Sequence, residues 1–493
     1  MKFPALVRSL SFLYSSFLLV PLVAHAEESD DSSTAHKEKN EIADVFVVQS
    51  QGPVDGPSSE GNEKSFHWIE DGKFTGQVRN FFMATTNFGK LKDWYAWSTG
   101  GNLGYQSARF HGLGFGAKLY ASVGVVGNTN EVDPSTGKGS RYEVGFFDFT
   151  ERDNREIALV GEAYLDYERD GHLLWLGRHK LKSPLFNPQD GRMIPTLAQG
   201  IWYKNTALKG ISAQAGFLSH VAPRSAKGWL SIEDSFGIYP RGRNRDGTPS
   251  GYSQNTSSKG LFIGHLGYKN QLIELNGWNY LTENVFNALY SEFYVRPQFA
   301  GIDWSYGIQY VGESRLNDGG NADPSLSYFQ DAQSHAYGAQ LRGTTQSKWT
   351  MSLNYNRITG HGRFLFPREW GRESLFVFQK RERSEGSGSL HALMGELGKT
   401  WKLKDRGKLS SKIGYGHYYR TDPQQASLNK YAFPSLYHAN WDTFYHFSGP
   451  LKGLVAELLI TYKGSLGNDH NNPAFIQNKV DMINWNFALN YNF

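Results

Sequence analysis

The sequence contains no cysteine. That excludes a disulfide framework, thiolate metal sites and a thiol nucleophile. In an exported protein it also avoids mispairing in an oxidising compartment. Beyond the N-terminal residues, no run approaches the ~18–20 consecutive apolar residues of a transmembrane helix. The net charge is only +4 and no long block of one sign occurs, which argues against a nucleic-acid partner. Methionine is scarce, and the 39% hydrophobic share is low for a soluble protein with large cores. Gly-x-Ser-x-Gly and His-Glu-x-x-His are both missing, so neither a nucleophile elbow nor a zincin helix is indicated. His179, His361, His417 and His446 have no evident ligand or triad partners. No metal or cofactor is implied.

Aromatic residues, by contrast, make up 15% of the chain, with 27 Tyr, 32 Phe and 54 Gly. This mixture suits an outer-membrane β-barrel with a lipid-facing band and a wet interior better than a packed α/β enzyme.

The N-terminus reads as a secretory signal. Lys2 and Arg8 precede an apolar run from Leu10 to Val23, and Ala24-His25-Ala26 offers a small-x-small cleavage site before Glu27. Residues 1–26 are therefore expected to be removed. Residues 27–65 are polar and charged and read as a disordered extension. Val45-Phe46-Val47-Val48 interrupts them. We take it as an incidental patch in a tail over a docking strand, a segment seated in the pore or an energy-coupling box. An active transporter would need a folded plug domain before the barrel, and residues 27–65 are too few for one.

From Phe66 onward alternation dominates. Trp485, Phe487, Leu489, Tyr491 and Phe493 share one face of the terminal segment; Asn486, Ala488, Asn490 and Asn492 share the other. Similar period-two patterns run through Ile302–Tyr310, Trp349–Tyr355 and Leu454–Tyr462, and again through Leu113–Val123. A sandwich alternates too, but these strands are long, numerous and aromatic-tipped. The terminal Phe493 resembles the recognition signal of the barrel assembly machinery. Phe110-His111-Gly112-Leu113, Leu208-Lys209-Gly210-Ile211, Phe299-Ala300-Gly301-Ile302 and Leu451-Lys452-Gly453-Leu454 form a weak repeat, each followed by an alternating strand. Glycine there permits the positive φ of a tight turn, so these are expected at short periplasmic turns. Residues 223–258, 314–336 and 421–440 are expected as extracellular loops. At ~23 residues per strand with its connections, residues 66–493 hold on the order of 18 strands. Trp68, Trp94, Trp97, Trp229, Trp278 and Trp441 read as interfacial girdle residues.

The most distinctive segment is Trp175-Leu176-Gly177-Arg178-His179-Lys180-Leu181-Lys182-Ser183-Pro184, continuing to Asp190-Gly191-Arg192-Met193-Ile194-Pro195. With Gly76–Phe82, Gly112–Phe115 and the stretch from Gly360-His361-Gly362 through Glu373-Ser374-Leu375-Phe376, it resembles the OprD family of outer-membrane porins. That resemblance implies an 18-stranded pore in which two loops fold inward and a row of basic side chains guides carboxylates. Arg79 and Arg192 carry over because they lie inside the matching motifs. Arg178 stands where the family often shows other residues. The second inward loop is unusually basic, with Arg363, Arg368, Arg372, Lys380, Arg381 and Arg383. From that loop Arg363, Arg372 and Ser374 are placed on the solute path with Arg79, Arg178 and Arg192.

Arginine stays charged and pairs bidentately with carboxylates, so a basic ring would favour anionic or zwitterionic solutes: amino acids, small organic acids or short peptides. The alternative for each arginine is neutralisation of lumenal acids, or contact with lipopolysaccharide phosphates. The expected partners are solutes, outer-membrane lipid and lipopolysaccharide, and the resemblance implies a monomer or loose trimer. A non-conducting adhesin or an outer-membrane hydrolase is the competing class.

Overall fold

The computed structural model describes residues 68–151, 154–189 and 191–493. The expected signal segment and extension, residues 1–65, lie outside them. The alternating segments all become strands: β1 (Lys73–Asn87), β2 (Trp94–Gln106), β3 (Leu113–Gly127), β4 (Glu156–Arg169), β5 (His172–His179), β6 (Leu197–Asn205) and β7 (Ile211–Ala222). They continue through β8 (Leu230–Ser231), β9 (Leu261–Lys269), β10 (Ile273–Thr282), β11 (Phe286–Val295), β12 (Gln298–Phe299), β13 (Ile302–Arg315) and β14 (Gln333–Thr345). The last are β15 (Trp349–Ile358), β16 (His391–Lys402), β17 (Gly407–Tyr419), β18 (Leu436–Phe447), β19 (Leu454–Ser465) and β20 (Met482–Asn492).

β8 and β12 are two-residue additions to the ends of β7 and β13. The other 18 strands pair antiparallel with their neighbours, and β1 pairs with β20 from Gln77↔Asn492 to Asn87↔Met482. The sheet is therefore a closed barrel of 18 strands with no free edge. No helix among the described residues is long and apolar enough to cross a membrane, a statement that bears on helices alone.

Alternation sorts the two faces. On β20, Trp485, Phe487 and Tyr491 are exposed outside, while Asn486, Ala488 and Asn490 are buried inside. The four glycine turns lie together at the end that also holds Phe493. Gly112, Gly210, Gly301 and Gly453 have φ of 89°, 77°, 71° and 96°, which a Cβ would strain. Long connections occupy the other end. All three predicted loops overran into strands: Leu230 and Ser231 form β8, Ser314 and Arg315 end β13 while residues 333–336 open β14, and residues 436–440 open β18. The last error has a clear cause. His438 and Asn440 are polar because they face inward, and a polar inner face resembles a loop.

The interior is drier than composition suggested. Phe236, Phe286, Phe366 and Trp370 pack into one cluster from two loops and β11. Phe236 meets Trp370 edge-on at 5.2 Å. Trp94 and Trp278 also face inward and are buried, so they are not girdle residues. Trp441, 45% exposed, stands outside as expected.

Candidate functional site

Two loops narrow the lumen: the β5–β6 connection (residues 180–196) and the β15–β16 connection (residues 359–390). They interlock. Asn187 Nδ2 donates to the Arg372 carbonyl at 2.9 Å, and Ser374 Oγ donates to the Pro184 carbonyl at 2.8 Å. The wall holds the second loop by its backbone: Gln309 Nε2 donates to the Ser374 carbonyl at 2.8 Å, and Asn356 Oδ1 accepts the Val377 N–H at 3.0 Å.

Arg79 points inward from β1. Its Nε donates to Asn490 Oδ1 at 2.7 Å and its Nη1 to the Arg192 carbonyl at 2.6 Å. The two arginines carried over from sequence motifs are thus adjacent, with Arg79 positioning the backbone of Arg192. Arg192 itself donates Nη1 to the Gly191 carbonyl at 2.6 Å, while its buried Nε has no hydrogen-bond partner among the described residues. Burial, followed by the nearby Arg224 and Arg381 charges, pushes the Arg192 guanidinium well below its ordinary pKa. The Arg381 guanidinium donates, among the described residues, to the amides of Asn484 at 2.9 Å and Asn486. Arg372 lies over the Phe378 ring at 5.0 Å, with burial and Arg383 lowering its pKa. Arg383 is lowered to about 10 by burial; its nearest carboxylate, Glu373, is 3.9 Å away. Arg192, Arg224, Arg372 and Arg381 make no salt bridge among the described residues. The carboxylate neighbours of Arg192, Arg372 and Arg381, namely Glu143, Glu373, Asp442 and Glu457, act on them without a direct ion pair.

The remaining basic residues of the second loop are otherwise engaged. Arg363 is 1% exposed and held by Asp331 at 3.1 Å and the Arg243 carbonyl at 3.0 Å. It anchors loops and does not line the path, which corrects the expectation. Arg368 pairs with Glu385 at 2.6 Å. Lys380 bridges Asp442 at 2.8 Å and Glu457 at 2.7 Å on the wall. Glu382 receives Lys463 at 2.5 Å and Arg420 at 2.6 Å, all three side chains nearly inaccessible. Burial opposes its charge, but Lys463 and Arg420 overcome that and hold the carboxyl far below its ordinary pKa. Ser374 spends its hydroxyl on the other loop, as described.

Arg178 is a second correction. It shares its face of β5 with the exposed Leu174 and Leu176 and pairs with Gln199 of β6, on the face of exposed Ile201. That face is the outer wall. His179 takes the inward position instead, stacked on Tyr164. Arg224 was missed by sequence reading. It follows β7 directly, and only the third dimension brings it to Arg192. Among the described residues no group of three His, Asp or Glu side chains could hold a metal ion.

A family model described as outer membrane porin, OprD family, matches residues 66–384. OpdK of Pseudomonas aeruginosa, solved with vanillate, superposes with a TM-score of 0.66 at 16% identity, covering 87% of this chain and all of that one. OpdG of the same organism gives 0.66 at 13% identity over 86% of this chain and 99% of that one. OccAB4 of Acinetobacter baumannii gives 0.66 at 16% identity over 86% and 98%. These structures share the 18-stranded fold. No curated protein matches.

Proposed function

This chain belongs to the OprD family of outer-membrane porins, and from that premise we propose that it passes small carboxylate-bearing solutes through a constriction lined by Arg79, Arg192 and Arg372. Arg224, Arg381 and Arg383 extend the basic track. The observation that carries this reading is that Arg192, Arg224, Arg372 and Arg381 make no salt bridge among the described residues where the two inward loops meet. A solute must trade part of its hydration for fixed charge and still leave. The guanidinium groups of Arg192 and Arg381, held by a backbone carbonyl and by amides with no salt-bridged acid among the described residues, offer that exchange. The vanillate in the OpdK structure is itself an aromatic carboxylate, which supports the solute class.

Planar-bilayer recording of the refolded barrel under a salt gradient tests the reading. An anion-selective reversal potential, with openings blocked by added carboxylates, is the expected result. Cation selectivity, or a folded barrel that never conducts, would overturn it.

The terminal residue serves assembly in the same reading. Phe493 exchanges backbone hydrogen bonds with Gly76 at 2.8 and 3.1 Å across the closing seam, and its ring is exposed. Deleting it is expected to lower the amount of heat-modifiable barrel in the membrane; normal levels would remove the signal role.

A further inference from the structure

The outer wall carries a feature that solute passage does not use. β5 and β6 are short, at 8 and 9 residues, against 15 and 14 for β3 and β4. Beyond their ends the wall is completed from outside the regular ladder. Trp229, just before β8, donates Nε1 to the Val160 carbonyl of β4 at 3.2 Å. Beside this patch lies an outward-opening groove of about 370 Å³. Ala163, Gly200 and Ser219 line it with the apolar Leu176, Ile201 and Phe217.

The groove is apolar toward the short-turn end and polar toward the long-loop end. Along each strand the apolar residue is followed, two positions nearer the loops, by a polar one: Leu176 by Arg178, Ile201 by Gln199, and Phe217 by Ser219. Arg178 Nε donates to Gln199 Oε1 at 2.8 Å, and its guanidinium lies 4.9 Å from the Trp229 ring. It makes no salt bridge among the described residues. His220 adds a hydrogen bond to Ser219 at 2.9 Å. An arginine on the lipid face of a barrel is costly at the bilayer centre and tolerated at the interface. Here it is oriented by an amide and an indole, with its two terminal nitrogens still available.

We propose that this groove binds a phosphorylated, acylated glycolipid of the outer leaflet, with lipid A chemistry. One acyl chain lies along Leu176, Ile201 and Phe217, and a phosphate sits on Arg178. The orientation rests on the porin reading, in which the long-loop end faces outward. The polar-above-apolar order matches a lipid whose head lies at that end. The charge is complementary, and a guanidinium offers two parallel donors to a phosphate.

Native mass spectrometry of the full barrel, extracted mildly and titrated with lipid A or with phosphatidylglycerol, tests this. The native protein should keep a lipid A adduct through extraction. Arg178→Ala should weaken it about tenfold, as loss of a charge-assisted contact does. Ala163→Phe fills the groove without touching the charge and should do the same. Reversal potentials should not change in either variant, which separates failure here from failure of the pore reading. The proposal is overturned by a native barrel without an adduct, by adducts unaltered in both variants, or by equal retention of phosphatidylglycerol. A shifted reversal potential in Arg178→Ala would place that residue in the lumen and also overturn it. If Arg178→Ala fails to give heat-modifiable barrel, Ala163→Phe decides alone.

Discussion

Arg363, Arg368 and Arg420 each rest against a carboxylate in the long-loop half of the interior, at 3.1, 2.6 and 2.6 Å. Arg192, Arg224 and Arg372, in the same half, have no such partner among the described residues. The same side chain thus does opposite work in two neighbouring regions. In the first, charge is cancelled and the pair fixes a loop. In the second, charge is left over and the loop backbone is fixed by amides such as Asn187. Counting arginines in the second inward loop therefore overstates its field. What matters is the arginines left after pairing.

The comparison can be broken most forcefully at the paired set. Glu382→Gln leaves Lys463 and Arg420 buried without their carboxylate, and removing one partner of a buried ion pair costs about 3–5 kcal/mol. The expected outcome is a markedly lower thermal midpoint and early proteolysis within residues 359–390; an unchanged midpoint would show that Glu382 is not an anchor.

At the unpaired set the effect should appear in permeation and leave stability alone. Arg192→Ala and Arg383→Ala should each lower the anion-to-cation permeability ratio about fivefold, from the ~1 kcal/mol of a unit charge at ~4 Å in a water-like dielectric. Their thermal midpoints should match the native protein, because Arg192 gives up no salt bridge and Arg383 only a distant one. A fall in stability without a change in selectivity would move them to the paired class.

A smaller effect sharpens the boundary between the sets. Lys430 is buried between the Tyr252 and Tyr328 rings, both at 4.8 Å, and its Nζ has no hydrogen-bond partner among the described residues. Burial pushes its pKa down to about 8 from an ordinary 10.5. Between those values the unfolded chain holds more protons, so stability should rise as pH rises from about 8 to 10.5. Lys430→Met should flatten that rise; an identical pH profile would show that Lys430 does not titrate in this window.

Much of the architecture was legible because it depends on local period. Trp485 to Phe493 announced both faces of β20, and the four apolar-x-Gly turns announced one end of the barrel. Arg178 was legible too. It stands two residues after Leu176, so the alternation that built β5 already placed it outside, and a motif outweighed that parity. Arg363 was not legible in the same way. Its neutralisation depends on Asp331, carried by a different loop, and nothing in the spacing of either residue reveals the other. The pairing of Glu382 with Lys463 is likewise a contact between a loop and a wall strand 81 residues on.

The sequence by itself determined the strand period and the positions where glycine must turn the chain, since each follows from backbone sterics and side-chain alternation over a few residues. Only the tertiary structure decided which arginines keep a free charge, which tryptophans face the lumen and where the wall leaves a groove. Those properties depend on which carboxylate, amide or ring arrives from elsewhere in the chain, and electrostatics and packing act through space, without regard to sequence distance.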